Sequence, residues 1–424
     1  MKPTPSTLTL ALLAALAAPA AHAEITIDVI GGSEVSFEGL VQADGNWYSN
    51  DFADLNAGAA EGNGGNGDNS EFELRRAELI LKGKGPGNFE WVLGYDAKAD
   101  KYLDANIKYK IGGNSNHFFQ VGQYKQPNSM EELSSTKNND FISKAAITNT
   151  FAVARRLGVA YGYGDSDWGV TVSAFGRELT RNLAHGSGYG IRGYWAPINE
   201  KGNVFHIGLS YASLDTDADT IRLRARPDAD LALIRLVDTG TLADVDRQAT
   251  TGIEGLWIHG PFKVQGEYMR SNADRYRAGN TDFTGSGGYI SGVWNITGET
   301  WGYKAGVPTT GLPDDTAKGM WQVGLRYDNI DLNDGAVIAP VPPSTAPKVN
   351  GVLGGDMDTY TLGVNYYWRS NFKVSLNYVN VSSSRFIKTT SGNTSEDPAN
   401  NNRTFNRVVD DNPHILEARL QFFW

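Results

Sequence analysis

Residues 89–98 read Phe-Glu-Trp-Val-Leu-Gly-Tyr-Asp-Ala-Lys, with Phe89, Trp91, Leu93, Tyr95 and Ala97 at every second place and Glu90, Gly94, Asp96 and Lys98 between them. Successive side chains of an extended chain point to opposite faces, so this segment is a strand with one apolar and one polar side. The same period of two runs through 103–111, 205–211, 321–327 and 372–378. Each run is about ten residues, the length at which a tilted strand crosses a bilayer.

Working outward, the connectors alternate in length. Stretches 83–88, 112–116, 164–167, 197–202, 259–261 and 369–371 are short, whereas 49–70, 126–153, 214–249, 333–355 and 384–411 are long and polar. Tight turns on one side and large loops on the other are the pattern of a transmembrane antiparallel β-barrel. About sixteen strands are expected: 34–48, 71–82, 88–98, 102–111, 117–125, 155–163, 168–177, 188–196, 203–213, 250–258, 262–271, 285–297, 320–332, 358–369, 372–383 and 413–424. An even number puts both ends of the chain on the periplasmic side. Segment 298–319 breaks the rule, because it is long where a short turn belongs. Tyr and Trp gather near strand ends (Trp47, Tyr48, Tyr163, Trp168, Trp195, Trp301, Trp368), as in interfacial girdles rather than in the core of a soluble sandwich. No fixed repeat of 20–50 residues points to a solenoid.

Composition agrees with an all-β fold. The 424 residues include 49 Gly, 19 Tyr, 17 Phe, 10 Trp and no Cys, which excludes disulfides, thiolate catalysis and cysteine metal sites. Residues 1–23, with Lys2, an apolar run and the ending Ala21-His22-Ala23, read as an export signal. Its removal leaves a single barrel domain, 24–424, and takes the net charge from −10 to −11. No apolar run reaches the ~18–20 residues of a membrane-spanning helix.

A barrel of this size encloses water, so a channel is the expected function, its selectivity set by charges along the path. The net charge would favour cations, but a permeating ion responds to charges within a Debye length of ~8 Å. Arg222, Arg224 and Arg226 stand at i, i+2 and i+4, so in an extended segment they share one side. Their guanidinium forks suit phosphate oxygens. Arg235 and Arg247 follow in the same long stretch. Arg75/Arg76 and Arg155/Arg156 are two further pairs, of which parity turns at least one member each toward the lumen.

The last strand, with Leu416, Ala418, Leu420, Phe422 and Trp424 in alternation, resembles the C-terminal signature of bacterial outer-membrane proteins. Stretch 190–211, with Arg192-Gly193, Ala196-Pro197, Gly202-Asn203 and His206-x-Gly208-x-x-Tyr211, is similar to the central hairpin of the phosphate-selective porin O and P family of Gram-negative outer membranes. Arg75-Arg76-Ala77, 121–125, 296–299 and 362–367 are further matches. The resemblance implies a homotrimeric sixteen-stranded porin of the bacterial outer membrane, passing phosphate or polyphosphate. It also implies an arginine ladder in the outer vestibule, beginning here at 222–226 in loop 214–249. An infolded third loop, here 126–153, would form the constriction. Family members selective for phosphate carry a lysine there. In this chain Glu131 and Glu132 stand near that place, flanked by Lys125 and Lys137, so polyphosphate, other anions and mixed solutes stay open.

Other signals are discounted. Gly188-x-Gly190-x-x-Gly193 enters a strand rather than a helix, and the histidines lack zinc spacing, so no cofactor or metal is expected. Loop 50–70 lacks the spacing of a calcium-binding hand. No nucleic-acid partner is indicated. The rivals are a general or carbohydrate-preferring porin, using lumen aromatics such as Phe175, Tyr194 and Tyr367, and, more distantly, a hydrolase (His185, Ser187) or an adhesin.

Overall fold

The computed structural model describes residues 25–30, 32–56, 69–180, 186–216, 218–338, 348–388 and 406–424; the expected export signal lies outside them. Sixteen strands form one antiparallel barrel: β1 (Ser33–Ser49), β2 (Ser70–Lys84), β3 (Phe89–Asp96), β4 (Lys101–Lys110), β5 (Phe118–Lys125), β6 (Arg155–Gly164), β7 (Trp168–Phe175), β8 (Ser187–Glu200), β9 (Asn203–Asp215), β10 (Val245–His259), β11 (Phe262–Arg275), β12 (Phe283–Asn295), β13 (Met320–Ile338), β14 (Lys348–Trp368), β15 (Phe372–Lys388) and β16 (His414–Phe423). The sheet closes where β1 pairs with β16, from Leu40↔Phe423 to Ser49↔His414. Ile25–Ile30 adds a short strand along β1, and Asn406–Asp411 extends the pairing of β15 ahead of β16.

Every expected strand is present. Several run longer than the alternation indicated, because cross-strand pairing continues where the composition turns polar. β13 and β14 remain paired from Asn333↔Leu353 out to Ile338↔Lys348, a stretch containing Asp334, Gly335 and Asn350 that reads as loop. β8 likewise continues through Pro197 to Glu200.

The burial pattern is inverted relative to a soluble protein. Along β16, Leu416 and Leu420 are exposed whereas Glu417, Arg419 and Gln421 are buried. Unpaired backbone polar groups are expensive in hydrocarbon, and a closed barrel leaves none at an edge. The inner face is polar over much of the wall, as alternation leads one to expect, but not at the mouth. At the mouth, inward residues of β10 to β16, among them Met269, Phe283, Ile330, Met357, Val381 and Ile415, join Leu55, Ile147, Phe151, Leu223, Ile234 and Leu236 from the loops in one apolar core. Loops that fold inward need an apolar bed, and the wall supplies it on one side of the barrel.

Candidate functional site

The third loop crosses the lumen as two short helices, α1 (Met130–Leu133) and α2 (Ala146–Phe151), tied by connecting turns. Its anchors are wall side chains. The Glu267 carboxylate of β11 accepts from the Met130 and Glu131 amides at 3.0 and 2.7 Å. Asp328 accepts from the Ala146 amide at 2.5 Å. Arg326 donates to the Ser143 carbonyl and Arg419 to that of Ile142, both at 2.8 Å. Lys373 donates to the Asn139 carbonyl at 2.5 Å. Acidic and basic residues of β11, β13, β15 and β16 therefore hold the loop against that side of the wall.

The acids that sequence placed near the constriction are consumed in this scaffold. The Glu131 carboxylate accepts from the Ala145 amide (3.1 Å) and the Thr148 hydroxyl (2.6 Å). Burial pushes it above the usual carboxylate range, against the pull of Arg326. Glu132 pairs with Lys144 at 2.5 Å. Burial raises it too, but Lys144 and Lys125 win and hold it down at about 2.

Lys125 donates to the carbonyls of Glu132 and Ser134 at 2.5 and 2.7 Å, closing the last turn of α1, while its side chain lines a chamber of about 330 Å³. Lys108, Gln120, Tyr124, Tyr163, Arg192 and Tyr194 line the same chamber. Lys137 is not among its lining residues; it stands 3.7 Å from Glu38 and over the Phe423 ring, at the seam of β1 and β16.

The arginines of the fifth loop, residues 216–244 between β9 and β10, keep the expected alternation. Ile221, Leu223 and Ala225 are 8, 5 and 2% exposed and belong to the mouth core, so Arg222, Arg224 and Arg226 lie on the opposite face. Arg222 pairs with Asp238 at 2.6 Å, and Arg226 donates to the Ala232 carbonyl at 2.5 Å. Burial lowers Arg235 to about 10, helped by Arg226 and Arg224. Burial likewise lowers Arg226; Asp230 opposes this while Arg75 and Arg224 add to it. These cations thus feel one another as a cluster.

On the wall, a bulge between Leu74 and Arg76 breaks parity, since Gln42 pairs with Arg76 and Ala43 with Leu74. Arg75 pairs with Asp230 of the fifth loop at 3.0 Å, and Arg76 with Glu78 at 3.2 Å. Both face inward, where parity alone assured one. Arg155 pairs with Asp104 at 2.8 Å, and Arg156 donates to the Arg155 carbonyl at 3.0 Å. Arg247 donates to the Ser213 hydroxyl at 2.9 Å. Of the aromatics, Tyr194 lines the chamber; Phe175 and Tyr367 are buried elsewhere. His185 lies outside the described residues.

Sequence reasoning missed what 298–319 does. From the periplasmic rim it turns inward and forms a hairpin, Gly302–Lys304 against Val307–Thr309. Ala305 and Gly306 at its tip both have positive φ (51° and 75°), as a tight two-residue turn requires. The tip reaches the chamber, where Ala305 and Val307 contribute to the lining. Its anomalous length was the available signal.

Comparison with known proteins fits this architecture. Porin O of Pseudomonas aeruginosa is 30% identical over 210 residues, an alignment covering 45% of this chain and 47% of that protein, so the chain spans about half the length of this relative. Among solved structures, the outer membrane protein OmpT of Vibrio cholerae in a trimer form superposes with a TM-score of 0.53 at 11% identity, covering 92% of this chain and 99% of that one. An anion-selective porin from Comamonas acidovorans gives 0.51 at 11% identity, covering 92% and 100%. Those likenesses concern the fold of bacterial outer-membrane β-barrels. The family model "Phosphate-selective porin O and P" matches residues 41–424, nearly the whole chain, and this protein belongs to that family.

Proposed function

We propose that this protein is a passive, anion-preferring channel of the outer membrane, with phosphate or polyphosphate as its solute, and that it assembles as a homotrimer. It catalyses no reaction. The observation that carries the reading is the two-faced segment 221–226, whose apolar side is buried in the mouth core while Arg222, Arg224 and Arg226 share the other side. Like charges do not gather unaided; a rigid apolar backing holds them where anions arrive. Arg75, Arg76, Arg155 and Arg156 continue the path along the wall, and Lys108 and Lys125 meet the solute at the chamber. Each step is weak, because most of these cations already have an acidic or carbonyl partner. A charge at ~4 Å contributes about 1 kcal/mol in water and about 4 at an effective dielectric near 20, which permits capture and release.

Reversal potentials in planar bilayers under a salt gradient test the reading. The intact protein favours chloride, and phosphate or pyrophosphate reduces the chloride current. Replacing Arg222, Arg224 and Arg226 together by Ala lowers the anion preference several-fold. An unchanged reversal potential in that variant rejects the assignment, and block by maltose-like sugars instead of phosphate supports a carbohydrate-preferring porin built on Tyr124 and Tyr194.

A further inference from the structure

We infer that the chamber beside the third loop discriminates among anions, and that it favours small organic anions with an aromatic ring behind a carboxylate. The inference rests on the reading of the channel as anion-preferring and narrows its class of solute. The chamber lies between the third loop and the inward face of β4 to β8, and its volume of about 330 Å³ is that of a small-molecule site. Among the described residues no carboxylate lines it.

Three cations do line it, but they are not equivalent. Arg192 is neutralised, because it grips the Glu254 carboxylate through Nε at 2.9 Å and Nη2 at 2.5 Å. Lys125 donates to main-chain carbonyls, which place its ammonium without cancelling the charge. Lys108 has no carboxylate within ion-pair distance among the described residues, and its ammonium stands 4.2 Å over the Phe118 ring. The positive charge offered to a solute is therefore that of Lys108 and Lys125.

Much of the remaining lining is apolar or aromatic: Phe118, Tyr124 and Tyr194, with Leu133, Ala160 and Val307. Two of the rings lie flat on bare backbone. A Cβ at Gly162 would run into the Phe118 ring, and one at Gly169 would stand 2.8 Å from the Tyr194 ring. These rings are thus surfaces of the chamber and not plugs in it.

Free phosphate gains nothing from such a surface, because an apolar wall returns no hydrogen bond for the water that it displaces. A carboxylate on a ring uses both kinds of lining. Its head pairs with the ammonium groups, and its ring takes the place of water against the aromatic side chains. Phe118 joins the two, since a solute ring set beside it brings the carboxylate within reach of Lys108. The site is suited to weak binding, which lets a channel release what it captures.

The test uses the full chain in planar bilayers, with benzoate, acetate or benzyl alcohol added to KCl, and reads the concentration that halves the chloride current. Benzoate is expected to do so about tenfold below acetate. Benzyl alcohol, a ring without a charge, leaves the current unchanged. Phe118→Leu and Tyr124→Leu keep apolar bulk and lose a ring; each, once seen to migrate as a folded barrel, moves benzoate several-fold toward acetate and leaves acetate where it was. Lys108→Gln weakens block by both anions. Equal block by benzoate and acetate in the intact channel overturns the proposal, and so does a ratio that survives in both ring variants. Block by benzyl alcohol as strong as by benzoate overturns the role of the two lysines. The ratio compares two monoanions and does not depend on preference for anions over cations. If the Arg222/Arg224/Arg226→Ala variant keeps the tenfold ratio, the chamber stands whatever the reversal potential says of the arginine face.

Discussion

At the scale of single residues, the pairing of Glu132 with Lys144 shows how local charge fixes the eyelet. Glu132 is held down at about 2, below its ordinary value near 4.3. A depressed carboxylate contributes stability above its unfolded value and loses it as pH falls through its folded one. The third loop is therefore expected to stay clamped at neutral pH and to loosen between about pH 4 and pH 2, seen as rising open-channel noise. Glu132→Gln brings that noise to neutral pH. Arg326 offers a second test. It is 1% exposed, donates to Asp228 at 2.8 Å and lies over the Phe141 ring at 4.9 Å. Arg326→Met leaves Asp228 buried without its cation, a loss of about 3–5 kcal/mol. The damage falls on loop docking, so limited proteolysis detects it before thermal unfolding of the barrel does. None of these partners was legible in the sequence, since Asp228 and Arg326 are far apart in the chain and no periodicity links them. Arg75 was half legible: strand parity named it a candidate, but only the bulge turns both members of the pair inward.

Among the elements, legibility followed regularity. The sixteen strands could be read because lipid outside and water or polar loops inside impose a period of two. Strand ends could not, since paired polar extensions such as 333–338 with 348–353 resemble loops in composition. The inward folding of the third loop was legible only through the family resemblance, and that of the fifth was not read at all. The apolar bed beneath them was not, because Met269, Phe283 and Ile330 look like ordinary strand residues until the loops cover them. This bed predicts a specific failure. Leu236, fully buried among the mouth residues, should cost about 2–5 kcal/mol when cut to Ala. The fifth loop then loses its backing and the arginine face its order. Chloride selectivity falls although no charge has been removed, measurable as a reversal-potential shift in a variant that migrates as a folded barrel.

For the molecule as a whole, the wall is uneven. β3, β5 and β7 have eight residues each, whereas β14 has 21. Eight residues at ~3.3 Å and a ~40° tilt rise about 20 Å, short of the ~25 Å apolar band of an outer-membrane barrel. That low side, with Phe119, Val121 and Val159 pointing outward, is where neighbouring copies are expected to meet. Val159→Arg should split the assembly on a semi-native gel, while Leu362→Arg on the tall side should leave oligomer size intact and cost about 2–4 kcal/mol in lipid. The seam between β1 and β16 carries a last consequence. Its rungs join residues nearly four hundred positions apart, with Arg419 gripping Asp44 and Gln42 meeting Gln421. A ribosome must finish the message before the cylinder can be sewn shut. Until then the nascent chain travels with two raw margins, and an escort that shields them on the way to the membrane is a necessity of the topology.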